Sequence, residues 1–188
     1  MSETDVKYTE SSPPILSFTC FLHNHTQPPS NTLPTMSAPL PPPRLYNTQT
    51  DTHLLPQLAR IHAACIMQDA QLATFLPPLN LETIETYWRH LASKAGVTPT
   101  MGGGEGVEVC LQMAPAEDGK GEVVAGYVVL SMAWSETGPF RGEVLKLMVS
   151  PEFRRKGVAR RVMGLLEEVA RERGRGLLVS VYFLSLFA

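Results

Sequence analysis

Apolar residues recur at every third or fourth position in three stretches of the chain and at every second position in others. The pattern therefore predicts three helices and a set of strands. Leu54, Leu58, Ile61 and Cys65 mark the first helical stripe, with Asp51 or Thr52 placed to cap it and Pro56 tolerated in its first turn. Leu81, Ile84, Trp88, Leu91 and Ala95 mark the second, opened by Asn80 after Pro77-Pro78 and ended by Gly96. The third follows Gly157 with Val158, Val162, Leu165, Leu166 and Val169; Glu167 and Arg171 add an i,i+4 pair, and Gly174 suits its end. Between them lie a short strand at "RLYNTQT" (Arg44 to Thr50), an alternating strand at 107–114, a longer apolar strand at 123–134 and another at 142–150. A fifth strand follows the third helix. The order is strand, two helices, three strands suited to an antiparallel meander, helix, strand. This is an α/β chain with a mixed sheet.

Residues 1 to 43 break this pattern. They are rich in Pro, Ser, Thr and Asn and read as a disordered extension, leaving 44–188 as the folded domain. "PLPPPR" (Pro39 to Arg44) matches a polyproline ligand for an SH3-type groove, or else a stiff spacer. His23 and His25 have no third ligand nearby, and no metal site is expected. "GGGEG" (Gly102 to Gly106) lacks a following Lys-Ser/Thr and reads as a loop.

The 188 residues are 44% hydrophobic, enough for one modest core, and the formal charge is −2. No basic stripe with interleaved aromatics points to nucleic acid, and no apolar run is long enough for a membrane span. The acidic start "MSETDVKYTE" is unlike a secretory leader, so the Asn24-His25-Thr26 sequon is read as chance. Cys20, Cys65 and Cys110 have no metal-ligand spacing and read as free thiols in a reducing compartment, with cytoplasm or nucleus the expected location.

Against this acidic background, "SPEFRRKGVARRVM" (Ser150 to Met163) is strongly basic where the third helix begins. A strand–loop–helix turn leaves several N–H groups unpaired at the positive end of the helix dipole. Gly157 allows backbone geometry that a Cβ would hinder, and Ala159 is small enough for a ligand to approach. Arg154, Arg155, Lys156 and Arg160 add positive charge that opposes the dipole unless an anion compensates it. The loop suits a phosphate or diphosphate; a solvated basic turn is the plainer alternative.

"Arg154-Arg155-Lys156-Gly157-Val158-Ala159" resembles the R/Q-x-x-G-x-G/A signature of the GNAT superfamily of N-acetyltransferases, and "EVLKLMVSPEFR" resembles the family's fourth strand leading into it. The element order from Arg44 to Ser180 is similar as well. The resemblance implies a GNAT-like acyl-CoA N-acyltransferase fold and acetyl-CoA as cofactor, its diphosphate held by amides from about Arg155 to Arg160. It also implies a fourth strand that splays from the fifth, so that main-chain groups of Leu147, Met148 and Val149 meet the pantetheine arm. The Leu147 N–H would polarise the thioester carbonyl, and a primary amine, on a small molecule or a protein, would attack directly.

Glu143 is the candidate base. Strict alternation puts it on one face with Leu145, Leu147 and Val149, partly desolvated at the end of an apolar row, with Lys146 on the other face. A solvated strand-end charge is an equal reading. Tyr87, Trp88 and Trp134 are candidates for an acceptor pocket or for core.

The chain departs from the family after the fifth strand, where a helix, two strands and an acid tyrosine are normally found and "GLLVSVYFLSLFA" ends. Tyr182 is not assigned the acid role. Apolar Val181, Phe183, Leu184, Leu186 and Phe187 are expected to leave an open edge suited to a partner strand or self-association, and the end reads as a truncated frame. The alternatives to an acetyltransferase are a noncatalytic CoA- or phosphate-binding module and an interaction protein.

Overall fold

The computed structural model describes residues 39–69, 74–97, 99 and 105–180. Cys20, His23, His25, the sequon, Gly102–Gly104 and the terminal run from Val181, with Tyr182, lie outside the described residues. The elements are β1 (Arg44–Leu45), α1 (Leu55–Asp69), α2 (Leu81–Ala92), β2 (Gly106–Pro115), β3 (Glu122–Met132), β4 (Arg141–Val149), α3 (Val158–Glu172) and β5 (Leu177–Ser180). They form one mixed sheet in the order β1-β2-β3-β4-β5, antiparallel through β4, with β5 parallel to β4.

The period of two along β2 explains the layers. Val107, Val109, Leu111 and Met113 pack on one face with Leu58, Ile61, Ile84 and Trp88 of α1 and α2. Cys110 faces the other way, with Val128, Leu130 and Val144, against Val162, Leu166 and Val169 of α3. Each helix stripe thus buries against its own face of the sheet. At Gly126 the approach is closest: a Cβ there would lie 2.7 Å from Val158 Cγ1 and 2.8 Å from the Met148 carbonyl. This glycine sets the spacing between β3 and the first turn of α3.

Asn80 caps α2 as its sequence position suggests, accepting from the Thr83 N–H at 3.1 Å. Asp51 does not cap α1. Its carboxylate accepts the Asn47 N–H at 2.8 Å and pairs with Arg44, and α1 is entered through a 3-10 turn at Thr52–Leu54. That gathering of groups turns the chain after Leu45, so the strand expected through Thr50 is only two residues long.

Packed structure also begins before the expected boundary at Arg44. Leu40 lies against the cluster of Ala114, Ala125 and Val158. The Pro41 carbonyl accepts from Gln112 Nε2 at 2.7 Å and from the Arg161 guanidinium at 2.6 Å. Arg44, the cation a polyproline groove would read, is engaged by Asp51. A groove partner would have to displace these contacts, and the segment behaves as a strap on the domain.

Gly164 is an exposed glycine in the middle of α3, and a Cβ added there meets nothing within 4 Å. Gly164→Ala is expected to stabilise the fold by about 0.5–1 kcal/mol, through a less costly backbone ordering. The denaturation midpoint should rise with unchanged slope.

Candidate active site

Strand β4 contains a bulge. Leu145 pairs with Val129 and Met148 with Tyr127, so Lys146 and Leu147 together oppose Val128. Lys146 accommodates the extra residue with φ 52°, in the left-handed region. An inserted residue reverses the alternation, and this decides which groups share a face. Leu145 packs on the α1/α2 core, with Glu143 two residues before it on the same side. Beyond the bulge, Met148 takes that side, while Leu147 and Val149 pack toward α3.

The expected single row of Glu143, Leu145, Leu147 and Val149 is therefore broken in its middle. Glu143 is exposed, so the desolvation expected for it is absent. Lys146 is not on the opposite face: its Nζ donates to Thr74 Oγ1 and sits 5.6 Å from the Tyr87 ring centroid, beside α1 and α2. Burial holds the Lys146 ammonium below the ordinary lysine value.

The two neighbours of β4 differ. β3 runs beside it from Glu143 to Val149, while β5 pairs only with Arg141–Val144, through Leu177–Ser180. No described residue of β5 lies opposite Leu147, Met148 or Val149.

From β4 the chain enters the loop that precedes α3. The Ser150 N–H donates to Ala125 at 2.9 Å, Phe153 and Arg154 close a 3-10 turn, and the Ser150 hydroxyl on the Glu152 carboxylate lowers its pKa. Arg155 (φ 62°) and Gly157 (φ 79°) then both take left-handed geometry. The first helical bond is Arg161 N–H to the Gly157 carbonyl at 3.2 Å. Among the described residues, none of the N–H groups of Arg155, Lys156, Gly157, Val158, Ala159 and Arg160 donates a hydrogen bond within the protein. Alternating backbone hand with unused amides, at the positive end of a fifteen-residue helix, is a backbone geometry suited to an anion.

The basic side chains divide into two groups. Arg154 is not free: it binds Asp69 at the end of α1 through two 2.9 Å hydrogen bonds, with Cys65 Sγ 3.8 Å away. It fastens the loop to α1 and adds little net charge. Arg155, Lys156 and Arg160 are exposed and form no ion pair among the described residues; Lys156 Nζ lies 5.0 Å from the Phe153 ring centroid. Val158 is buried, and Ala159 is half-buried at the helix start.

Sequence reasoning places Cys65 in the first helical stripe but misses its links, and those of Asp69, to β4 and this loop; they cross 84 to 89 residues, and no local pattern marks them. Cys65 is a packing thiol: it donates to the Val149 carbonyl at 3.7 Å, and burial pushes its pKa up. Cys110 is pushed to about 12 by burial. Trp88 is wholly buried core, Tyr87 lines the space beside Lys146, and Trp134 is exposed beyond β3. No cluster of metal-ligating residues occurs among the described residues.

The model of the acetyltransferase (GNAT) family matches residues 82–184, more than half of the chain, from α2 through β5. The chain belongs to the GNAT acetyltransferase family. Its fold is similar to a protein described as a possible acetyltransferase from Clostridium difficile 630, with 12% identity and TM-score 0.54 over 79% of this chain and 82% of that one. It is also similar to a GNAT family acetyltransferase from Staphylococcus aureus, with 14% identity and TM-score 0.52 over 78% and 93% of the two chains. No curated protein matches the chain. GNAT acetyltransferases carry out acyl transfer with acetyl-CoA. Among the described residues, no helix is long and apolar enough to cross a membrane.

Proposed function

We propose that this chain binds acetyl-CoA through the β4–α3 loop and transfers the acetyl group to a primary amine by direct attack. The observation that carries the reading is the set of six unused amides from Arg155 to Arg160. When bound, acetyl-CoA supplies an acetyl group activated as a thioester.

The rest is the work of this chain's residues. The amides of Arg155–Arg160 hold the diphosphate, and Arg155, Lys156 and Arg160 neutralise it. Arg154 keeps the loop in place by holding Asp69. Main-chain groups of Leu147, Met148 and Val149 would hold the arm along β4, and the Leu147 N–H would stabilise the carbonyl oxygen that gains negative charge. Glu143, exposed on the α1/α2 side of β4, receives the amine's proton through solvent.

Calorimetry with acetyl-CoA, followed by turnover on a panel of primary amines, tests the proposal. Saturable binding with release of free thiol that depends on the amine is the expected result. Binding without turnover on any amine would favour a noncatalytic CoA-binding module. Absence of binding would overturn the proposal.

A further inference from the structure

The bulge in β4 places a cation beside the residue assigned to the thioester carbonyl. Lys146 immediately precedes Leu147, and its left-handed φ of 52° turns the side chain to the α1/α2 side. There it is half-buried, and among the described residues its Nζ meets the Thr74 hydroxyl and the face of the Tyr87 ring 5.6 Å away. No carboxylate lies within ion-pair distance of Nζ among the described residues. His62 lies on this side as well and is kept neutral by burial, standing edge-on to Tyr87 at 6.1 Å; the Glu143 carboxylate, exposed on the same side of β4, forms no ion pair with Nζ. A partly desolvated ammonium with no counter-charge is costly, and a bound anion offsets that cost.

From this juxtaposition we propose that Lys146, with Thr74 and Tyr87, forms the subsite that recognises the acceptor, and that the acceptor is a small primary amine carrying a carboxylate. The inference rests on the acetyltransferase reading and adds the substrate class. The amine would reach the carbonyl held at Leu147 while its carboxylate, one lysine side chain away, pairs with Nζ. Thr74 offers a hydroxyl to the second carboxylate oxygen, and Tyr87 supplies an apolar wall. The same cation repels polyamines.

Amine and carboxylate can be separated with dipeptides compared against their C-terminal amides, whose reacting amines are nearly alike. The wild-type chain is expected to prefer the carboxylate form by about tenfold or more in kcat/KM, the range of a charge-assisted hydrogen bond. In Lys146→Met the preference should fall toward one with acetyl-CoA affinity unchanged, and Lys146→Arg should keep most of it. Calorimetry of the N-acetylated dipeptide provides a readout independent of turnover, and its affinity should fall in Lys146→Met alone. Equal use of acid and amide by the wild type, or a preference that survives Lys146→Met, would overturn the subsite while leaving the acetyltransferase standing. Loss of acetyl-CoA binding in the unaltered chain would remove both.

Discussion

Gly157→Glu is expected to weaken acetyl-CoA binding by at least about a hundredfold. Gly157 stands at φ 79°, where an L side chain costs about 1–2 kcal/mol. A Cβ at this position meets nothing within 4 Å, so the substitution causes no internal clash and the chain should still fold. The loss comes from two other sources. Relief of the strained backbone turns the amides of Arg155–Arg160 away from their common focus. The new carboxylate also competes for those N–H groups and repels the diphosphate, by about 2 kcal/mol for charges some 8 Å apart at an effective dielectric near 20. Gly157→Ala carries the strain without the charge and should lose about tenfold. Calorimetry of both variants beside the wild type separates strain from charge. Wild-type affinity in Gly157→Glu would show that the diphosphate is held elsewhere.

The second large effect concerns stability. His62 is fully buried in α1, edge-on to Phe75, Tyr87 and Trp88, and neither ring nitrogen has a hydrogen-bond partner among the described residues. Burial, with the Lys146 charge as a lesser cause, lowers its pKa from 6.5 to about 4. In the unfolded chain it titrates near 6.5, so between pH 6.5 and 4 the unfolded state binds a proton that the folded state does not. The folded state therefore has its full stability above that window and loses it as pH falls through it. The full shift corresponds to about 3 kcal/mol, of which about 2 kcal/mol is lost by pH 5. The lowered carboxylates Asp51 and Glu152 contribute only below their unfolded values of 3.8 and 4.5, so pH 5 isolates the histidine. His62→Leu gives up no hydrogen bond and should flatten the profile between pH 7 and pH 5. Chemical denaturation at the two pH values measures it; an equal loss in wild type and variant would assign the acid sensitivity to another group.

Much of the fold is legible in local pattern because its elements depend on local forces. The stripes at Leu81–Leu91 and Val158–Val169 identify α2 and α3, and Asn80 and Gly174 mark ends where the backbone needs a cap or a left-handed residue. The basic loop before α3 is legible for the same reason: unpaired amides follow from any strand–loop–helix turn. The apolar pattern at Arg44 suggests a longer strand than the two residues that form, because nothing local shows that the Asp51 carboxylate turns the chain back. His62 looks in sequence like any helical histidine, and only the convergence of α1 and α2 buries it among aromatic rings.

The order of elements, the meander, the helix stripes and the position of the basic loop before α3 were determined by the sequence alone, through periodicities of 2 and 3.6 and through the torsional freedom of particular glycines. The tertiary structure decided which side chains meet. One inserted residue at Lys146 moved Leu147 and Val149 to the opposite face from Glu143 and brought the lysine to the α1/α2 side. Asp69 took Arg154 out of the set of free cations, and Gln112 and Arg161 fastened the short segment at Leu40 and Pro41 to the domain as a strap. A bulge shifts every following side chain by half a period, and an ion pair depends on groups distant along the chain, so neither leaves a mark in local pattern.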